Sequence, residues 1–412
     1  MKNIKKIVTL FLSITLLVSI MTGCASSQRS EPEEIKEETG EKSADLPEES
    51  EEPRESLFRI GYPAITTPSA MLCARDANAA YICEALGGEA VFALQESWAT
   101  EDIINCVEQL IELDVDAIVI CPISEAPMAR IAQLCDDAGV YYIWNHRQIY
   151  DQEIMDLCTS SEYFLGWAVE DEYSAAYNCM QYMSEQGITD ICLITEDLSD
   201  TVAALREQGT RAGAEDFGIT IHSEFRGPKS ANEITEAVES FLSAYPETQL
   251  IFVTGATIDA HVDAITSATE QAGRNDVKMA ALDLLENADD ATKEGRFLVQ
   301  AGGQHVPNYV YCTVVAAHAL LDGQRLGQNY IDLNMALSLA YDYDDLTGYY
   351  DYVIGDLPLY TADELVNIFF KDGFTAEDLK KLAENYSNNE RAEAHKDMEQ
   401  GSIAEYQNEY FH

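Results

Sequence analysis

Short apolar runs alternate along this chain with longer stretches in which apolar positions recur every three or four residues. Residues 58–62, 90–94, 117–121 and 141–144 have the length and composition of buried strands. Between them lie helical periods such as Ile103, Ile104, Val107, Leu110 and Ile111, which share one face. A second set starts near residue 169, with strands predicted at 191–195, 219–225, 250–254, 279–282 and 297–300 and helices between. Apolar strands alternating with helices predict an α/β fold: two doubly wound parallel-sheet lobes, each sheet covered on both faces. Ligands of such sheets sit at the carboxyl ends of strands, which nominates residues 62–68, 95–98, 121–124, 144–147, 195–200, 254–259 and Asp283. Residues 148–166 read as irregular. After residue 322 the pattern weakens into Tyr- and Asp-rich sequence, and a polar helical tail is predicted from residue 375. The Asp342-Tyr343-Asp344 run starts like a calcium loop but lacks the glycine of the sharp turn, so no metal site is expected there.

The first residues carry a different message. Lys2, Lys5 and Lys6 precede an apolar stretch over 7–20, and Met21-Thr22-Gly23-Cys24 closes it with small residues directly before a cysteine. That arrangement predicts a lipoprotein signal peptide over 1–23 and a mature chain starting at a diacylated Cys24, held at the extracellular face of the cell membrane by its lipid. Residues 25–56 hold twelve Asp or Glu against four Lys or Arg and almost nothing apolar. Such a stretch cannot bury enough surface to offset its ordering entropy, so 24–56 is expected to be a disordered acidic tether.

Charge and cysteine content narrow the function classes. A net charge of −48 repels phosphate backbones and excludes nucleic acid as a partner, leaving neutral or cationic ligands. Nine cysteines remain besides Cys24, with no Cys-x-x-Cys pair and several inside apolar runs, so they read as free, buried, small hydrophobes. The chain has no Gly-x-Ser-x-Gly elbow, His-Glu-x-x-His pair or Gly-Lys-Ser/Thr phosphate loop, which makes binding, with no cofactor, the economical reading over catalysis.

One stretch carries a family resemblance. Asp116-Ala117-Ile118-Val119-Ile120-Cys121-Pro122-Ile123, then a helix over 131–140 and a strand running into Trp144-Asn145-His146-Arg147, is similar to type 1 periplasmic binding proteins, the ribose- and galactose-binding class. The resemblance spans about 58–321. It implies two lobes joined by a hinge: an N-terminal lobe over 57–165 and 302–335, a C-terminal lobe over 166–301, and an unassigned extension over 336–412. It further implies that Arg147 matches the family's Arg after the fourth strand, Arg206 the second-lobe Arg, Asp283 the Asp that takes sugar hydroxyls, and Gln304 a late-crossover Gln. His146 stands where most sugar binders have Asp, Thr67-Pro68 replaces an Asn-Pro start, and Gly255 replaces an Asn.

Physical chemistry supports a polyol-like ligand. Guanidinium and carboxylate groups engage vicinal hydroxyls in two-pronged fashion, a role for Arg147, Arg206 and Asp283, while apolar ring faces lie against aromatics such as Trp144 and Trp98. His146 and Thr67 can add hydrogen bonds. The expectation is a monomeric lipid-anchored solute-binding protein that captures a sugar and delivers it to an ABC permease. The alternatives are a nucleoside or signalling furanose as ligand, or a sensor reporting to a membrane kinase.

Overall fold

The computed structural model describes residues 56–406, apart from 67, 197–200, 256–259, 286, 303–304, 324, 353–354 and 399–401. The chain alternates β1 (Arg59–Ile65), α1 (Ala70–Ala85), β2 (Glu89–Gln95), α2 (Thr100–Glu112), β3 (Ala117–Ile120), α3 (Met128–Ala138), β4 (Tyr141–Asn145), α4 (Gln152–Ser160) and β5 (Phe164–Glu170). It continues with α5 (Glu172–Glu185), β6 (Asp190–Thr195), α6 (Thr201–Phe217), β7 (Thr220–Arg226), α7 (Ala231–Ala244), β8 (Leu250–Val253), α8 (His261–Gln271), β9 (Lys278–Leu282), α9 (Ala288–Lys293) and β10 (Phe297–Gly302). Then follow α10 (His305–Leu321), β11 (Ile331–Met335), β12 (Ser338–Ala340), α11 (Tyr343–Tyr352), α12 (Ala362–Glu364), α13 (Ala376–Glu384) and α14 (Asn388–Ala394).

Two six-stranded sheets result, ordered β11-β5-β4-β3-β1-β2 and β12-β10-β9-β8-β6-β7. All pairs are parallel except β10 with β12. Strands such as β3 and β8 are buried at every position because helices cover both faces, which is why they read as continuous apolar runs rather than alternating ones. Among the described residues the chain passes between sheets three times, from β5 to α5, from β10 to α10 and from β11 to β12. Polar side chains start the helices where the loops end: Ser69 accepts from the Leu72 N–H, Asp151 from Glu153 and Ile154, and Ser230 from Glu233.

Three segments depart from the sequence pattern. The stretch over 148–166 contains α4 and the start of β5, so the first sheet runs to Glu170 rather than ending near 165. Gly166 disguises β5 as a break, yet all seven residues of this strand are buried. Beyond residue 322, β11 joins the first sheet and β12 the second. The extension then folds onto the first lobe: Tyr352, Leu359, Tyr360, Leu365, Phe369 and Leu379 share one core cluster with Tyr62, Tyr309 and Tyr311. Nine described cysteines are free thiols, and seven are buried. Burial raises such thiols, pushing Cys83 and Cys312 up to about 12, which makes them poor nucleophiles.

Candidate functional site

On the first lobe the site begins where β4 stops. His146, the next residue, takes a left-handed turn with φ 61°, and its N–H donates to the Ala168 carbonyl at 2.7 Å, tying the turn to β5. The turn leaves Arg147 with Nε on the Ile123 carbonyl at 3.0 Å and Nη1 on the His146 carbonyl at 2.7 Å. These bonds hold the guanidinium across the ends of two neighbouring strands. At the end of β5, Glu170 accepts from Asn308 Nδ2 of α10 at 2.8 Å, and its Oε1 lies 3.5 Å from His146 Nδ1.

The second lobe contributes a buried ion-pair network. Asp171 caps α5 by accepting from the Ser174 N–H, which presents Glu172 in the first turn. Arg206, in α6, donates from Nε to Glu172 at 2.7 Å and forks onto Asp283 at 2.9 and 2.8 Å. It also donates to the Leu282 carbonyl at 3.2 Å. Helices α5 and α6 approach closely enough for this because Gly209 has no side chain; a Cβ there would lie 2.2 Å from the Tyr173 carbonyl oxygen. Asp283 pays for its position with an unfavourable backbone at φ 119°, a conformation costing about 1–3 kcal/mol that the Arg206 fork holds in place.

Burial governs the electrostatics here. It holds the His146 imidazole well below its ordinary value, reinforced by the Arg147 and Arg206 guanidiniums, so the ring stays neutral and keeps an acceptor nitrogen. Burial pushes the Glu172 carboxyl up to about 8; Arg206 pulls the other way, while the nearby Glu170 charge adds to the rise. The Glu172 Oε1 is buried with no hydrogen-bond partner.

A cavity of about 210 Å³ opens between the lobes. His146, Arg147 and Tyr150 line it from the first lobe and Glu172, Tyr173 and Val202 from the second, with Glu170 beside the crossing. One ligand atom each from His146, Glu170 and Glu172 lie within 4.8 Å of one another.

The structure sorts the residues singled out in the sequence. His146 and Arg147 line the cavity. Arg206 and Asp283 do come together, but as partners of each other, with Arg206 holding the cavity-lining Glu172. Trp144 has no exposed face: it sits with Tyr142 and Phe164 in the core cluster that includes residues of α3 and α4. The alternation of side chains along β4 sends the indole under the helices, so it is core rather than a platform for a ligand. Trp98 is half-buried beyond the end of β2, the edge strand three places from β4. Thr67 and Gln304, and Cys24, the expected lipidation site, lie outside the described residues. Glu170 and Glu172 were missed by sequence reasoning, although the acidic run Glu170-Asp171-Glu172 directly after a wholly apolar hexapeptide was a signal available in the sequence.

A profile described as a periplasmic binding protein domain matches residues 76–325. The chain belongs to the periplasmic binding protein family. This is a family of periplasmic or extracellular solute-binding proteins rather than enzymes. No curated protein matches this periplasmic binding protein in sequence. Solved structures similar to it include an ABC transporter periplasmic solute-binding protein from Actinobacillus succinogenes with bound D-allose, at 15% identity and TM-score 0.59, covering 70% of this chain and 98% of that one. GanP, a glucose-galactose binding protein from Geobacillus stearothermophilus, aligns at 13% identity and TM-score 0.58 over 71% of this chain and 99% of that chain. A solute-binding protein from Bacillus halodurans with bound myo-inositol aligns at 18% identity and TM-score 0.57 over 71% and 97%. At these identities the likeness establishes the type 1 two-lobed fold.

Proposed function

We propose that this periplasmic binding protein captures a sugar or similar small polyhydroxylated solute between its lobes and presents it to an ABC permease. The observation that carries the reading is the interlobe cavity, lined from one side by His146 and Arg147 and from the other by Glu172 and Tyr173. A ligand touching both sides stabilises the closed state by as much as it prefers that state, and the few crossing segments can absorb the rotation. The similar structures with bound allose and inositol support a polyol as the ligand class.

Arg147 is the residue that addresses vicinal hydroxyls, and Glu172 faces the same cavity from the second lobe. A charge-assisted hydrogen bond is worth about 1.5–3 kcal/mol. Once a thermal-shift screen of sugars has found a ligand, Arg147→Ala should therefore weaken its calorimetric affinity about ten-fold or more, with the melting temperature of the free protein nearly unchanged. Unaltered affinity would remove Arg147 from the site. Anchoring is the second part of the reading, supported by the Thr22-Gly23-Cys24 run. Cys24→Ala should release the protein from the membrane fraction or leave an unprocessed precursor, and equal incorporation of labelled lipid by the variant would overturn it.

A further inference from the structure

We propose that the solute carries a primary ammonium group, as an amino sugar does, and that His146, Glu170 and Glu172 receive it. The inference rests on the solute-capture reading and specifies the ligand's class. Its first ground is stereochemical. An alkylammonium has three N–H donors and no acceptor, and the cluster offers it three acceptor groups on the cavity wall: a neutral imidazole nitrogen and two glutamate carboxyls. The three ligand atoms lie within 4.8 Å of one another. A nitrogen that makes charge-assisted bonds of about 2.7–2.9 Å can span such a set without moving it. A transition metal holds its ligands at about 2.0–2.3 Å, which the 3.5 Å between His146 Nδ1 and Glu170 Oε1 also allows, so zinc is the competing occupant that the test must separate.

The second ground is an unmet demand. Glu172 is only 2% exposed, and its Oε2 takes the Arg206 Nε while its Oε1 accepts nothing. A buried acceptor left without a donor costs about 1–3 kcal/mol, which a ligand N–H would relieve. The Nη groups of Arg206 turn away from it, to Asp283 and the Leu282 carbonyl.

Charge gives the third ground. The cavity wall holds Glu170 and Asp171 against Arg147, with Glu172 keeping the proton that burial favours until an ammonium displaces it, and the Arg206 charge is neutralised by the Asp283 fork. The surplus is negative, in a protein whose net charge of −48 draws cations toward it. The polyhydroxylated frame of the same ligand would meet Arg147, so the cleft sorts the two ends of one molecule: hydroxyls to the guanidinium, ammonium to the carboxylates.

The test is calorimetry on the soluble chain from residue 56, with D-glucosamine, D-galactosamine and D-mannosamine against their neutral parents and N-acetylated forms, and with zinc chloride alone. At least one amino sugar is expected to bind ten-fold or more tightly than both its uncharged counterparts. Glu172→Gln and Glu170→Gln should each erase that preference, lowering the affinity for the amino sugar about ten-fold further than that for its neutral parent. Circular-dichroism melting of each variant reports whether it is folded. Neutral sugars that bind as well as the amines would overturn the ammonium inference and leave solute capture standing. Failure of both kinds to bind would overturn the two together. A preference untouched by both variants would move the ammonium away from this cluster. Zinc binding that is lost in Glu172→Gln and unaffected by saturating amine would assign the cluster to a metal and overturn the inference.

Discussion

Arg206→Ala is expected to destabilise the second lobe by about 3–5 kcal/mol, the usual cost of removing one partner from a buried ion pair. The guanidinium is 3% exposed and joins Glu172 at the start of α5, the fork of Asp283 after β9 and the carbonyl end of β9 itself. Its loss leaves two carboxylates facing each other without a counter-charge and removes the constraint on Asp283 at φ 119°. The size of the loss should depend on pH, and its sign follows from Glu172. This carboxyl is raised from 4.5 to about 8 in the folded protein, by burial before any other cause, so the folded state keeps a proton that the unfolded chain has released. Stability from this group is therefore present in acid and declines as pH rises across that window, because the native state binds more protons than the unfolded one. Without Arg206 the Glu172 carboxylate is easier still to protonate, and the deficit of the variant should be larger at pH 8 than at pH 5. Urea unfolding at both pH values measures this. A deficit under about 1 kcal/mol, or one that grows in acid, would show that Arg206 does not hold the site together.

Gly166→Ala should have the other large effect, on the first lobe. Gly166 pairs with Ile143 of β4 on one side and Ile331 of β11 on the other, at φ 118°. A Cβ built there would lie 1.8 Å from the Ile331 carbonyl oxygen and 2.6 Å from its nitrogen, both backbone atoms that cannot rotate away. The methyl must push β11 off the sheet edge or force β5 into a new register. Either change moves Glu170, four residues further along the same strand, and with it the crossing into α5. The backbone strain and the displaced pairing together place this substitution among those costing more than about 4 kcal/mol. Soluble yield and the circular-dichroism melting curve should both collapse. A variant that melts within about 2 °C of the parent would show that the β5–β11 contact is not tight in solution.

Much of the fold was legible in the sequence because periodicity is a local property. Residues 117–121 and 250–253 are apolar throughout, since a strand covered on both faces has no polar side to show, and β3 and β8 lie within those two runs. The helix α2 announces itself through Ile103, Val107 and Leu110, all buried. What failed to read were elements whose identity depends on a distant neighbour. Gly166 looks like a breaker until Ile331 is seen against it. β11 is strand because β5 offers it an edge, and the aromatic residues of 352–369 look aimless until α10 and α1 supply the surface they cover.

The candidate site divides in the same way. The sequence by itself determined the two-lobed α/β class and the strand-end positions of His146, Arg147 and Asp283, because strand ends follow from where apolar runs stop. Only the tertiary structure decided what those residues meet. Arg206 and Asp283 are 77 residues apart and pair because α6 and the end of β9 converge; Trp144 turns under α3 and α4 rather than toward the cavity. Glu170 and Glu172 fall beside His146 because β5 lies next to β4 in the sheet. Charge pairing depends on distance in space to the nearest ångström, and the order of strands that sets those distances is not encoded in the periodicity of any one strand or helix.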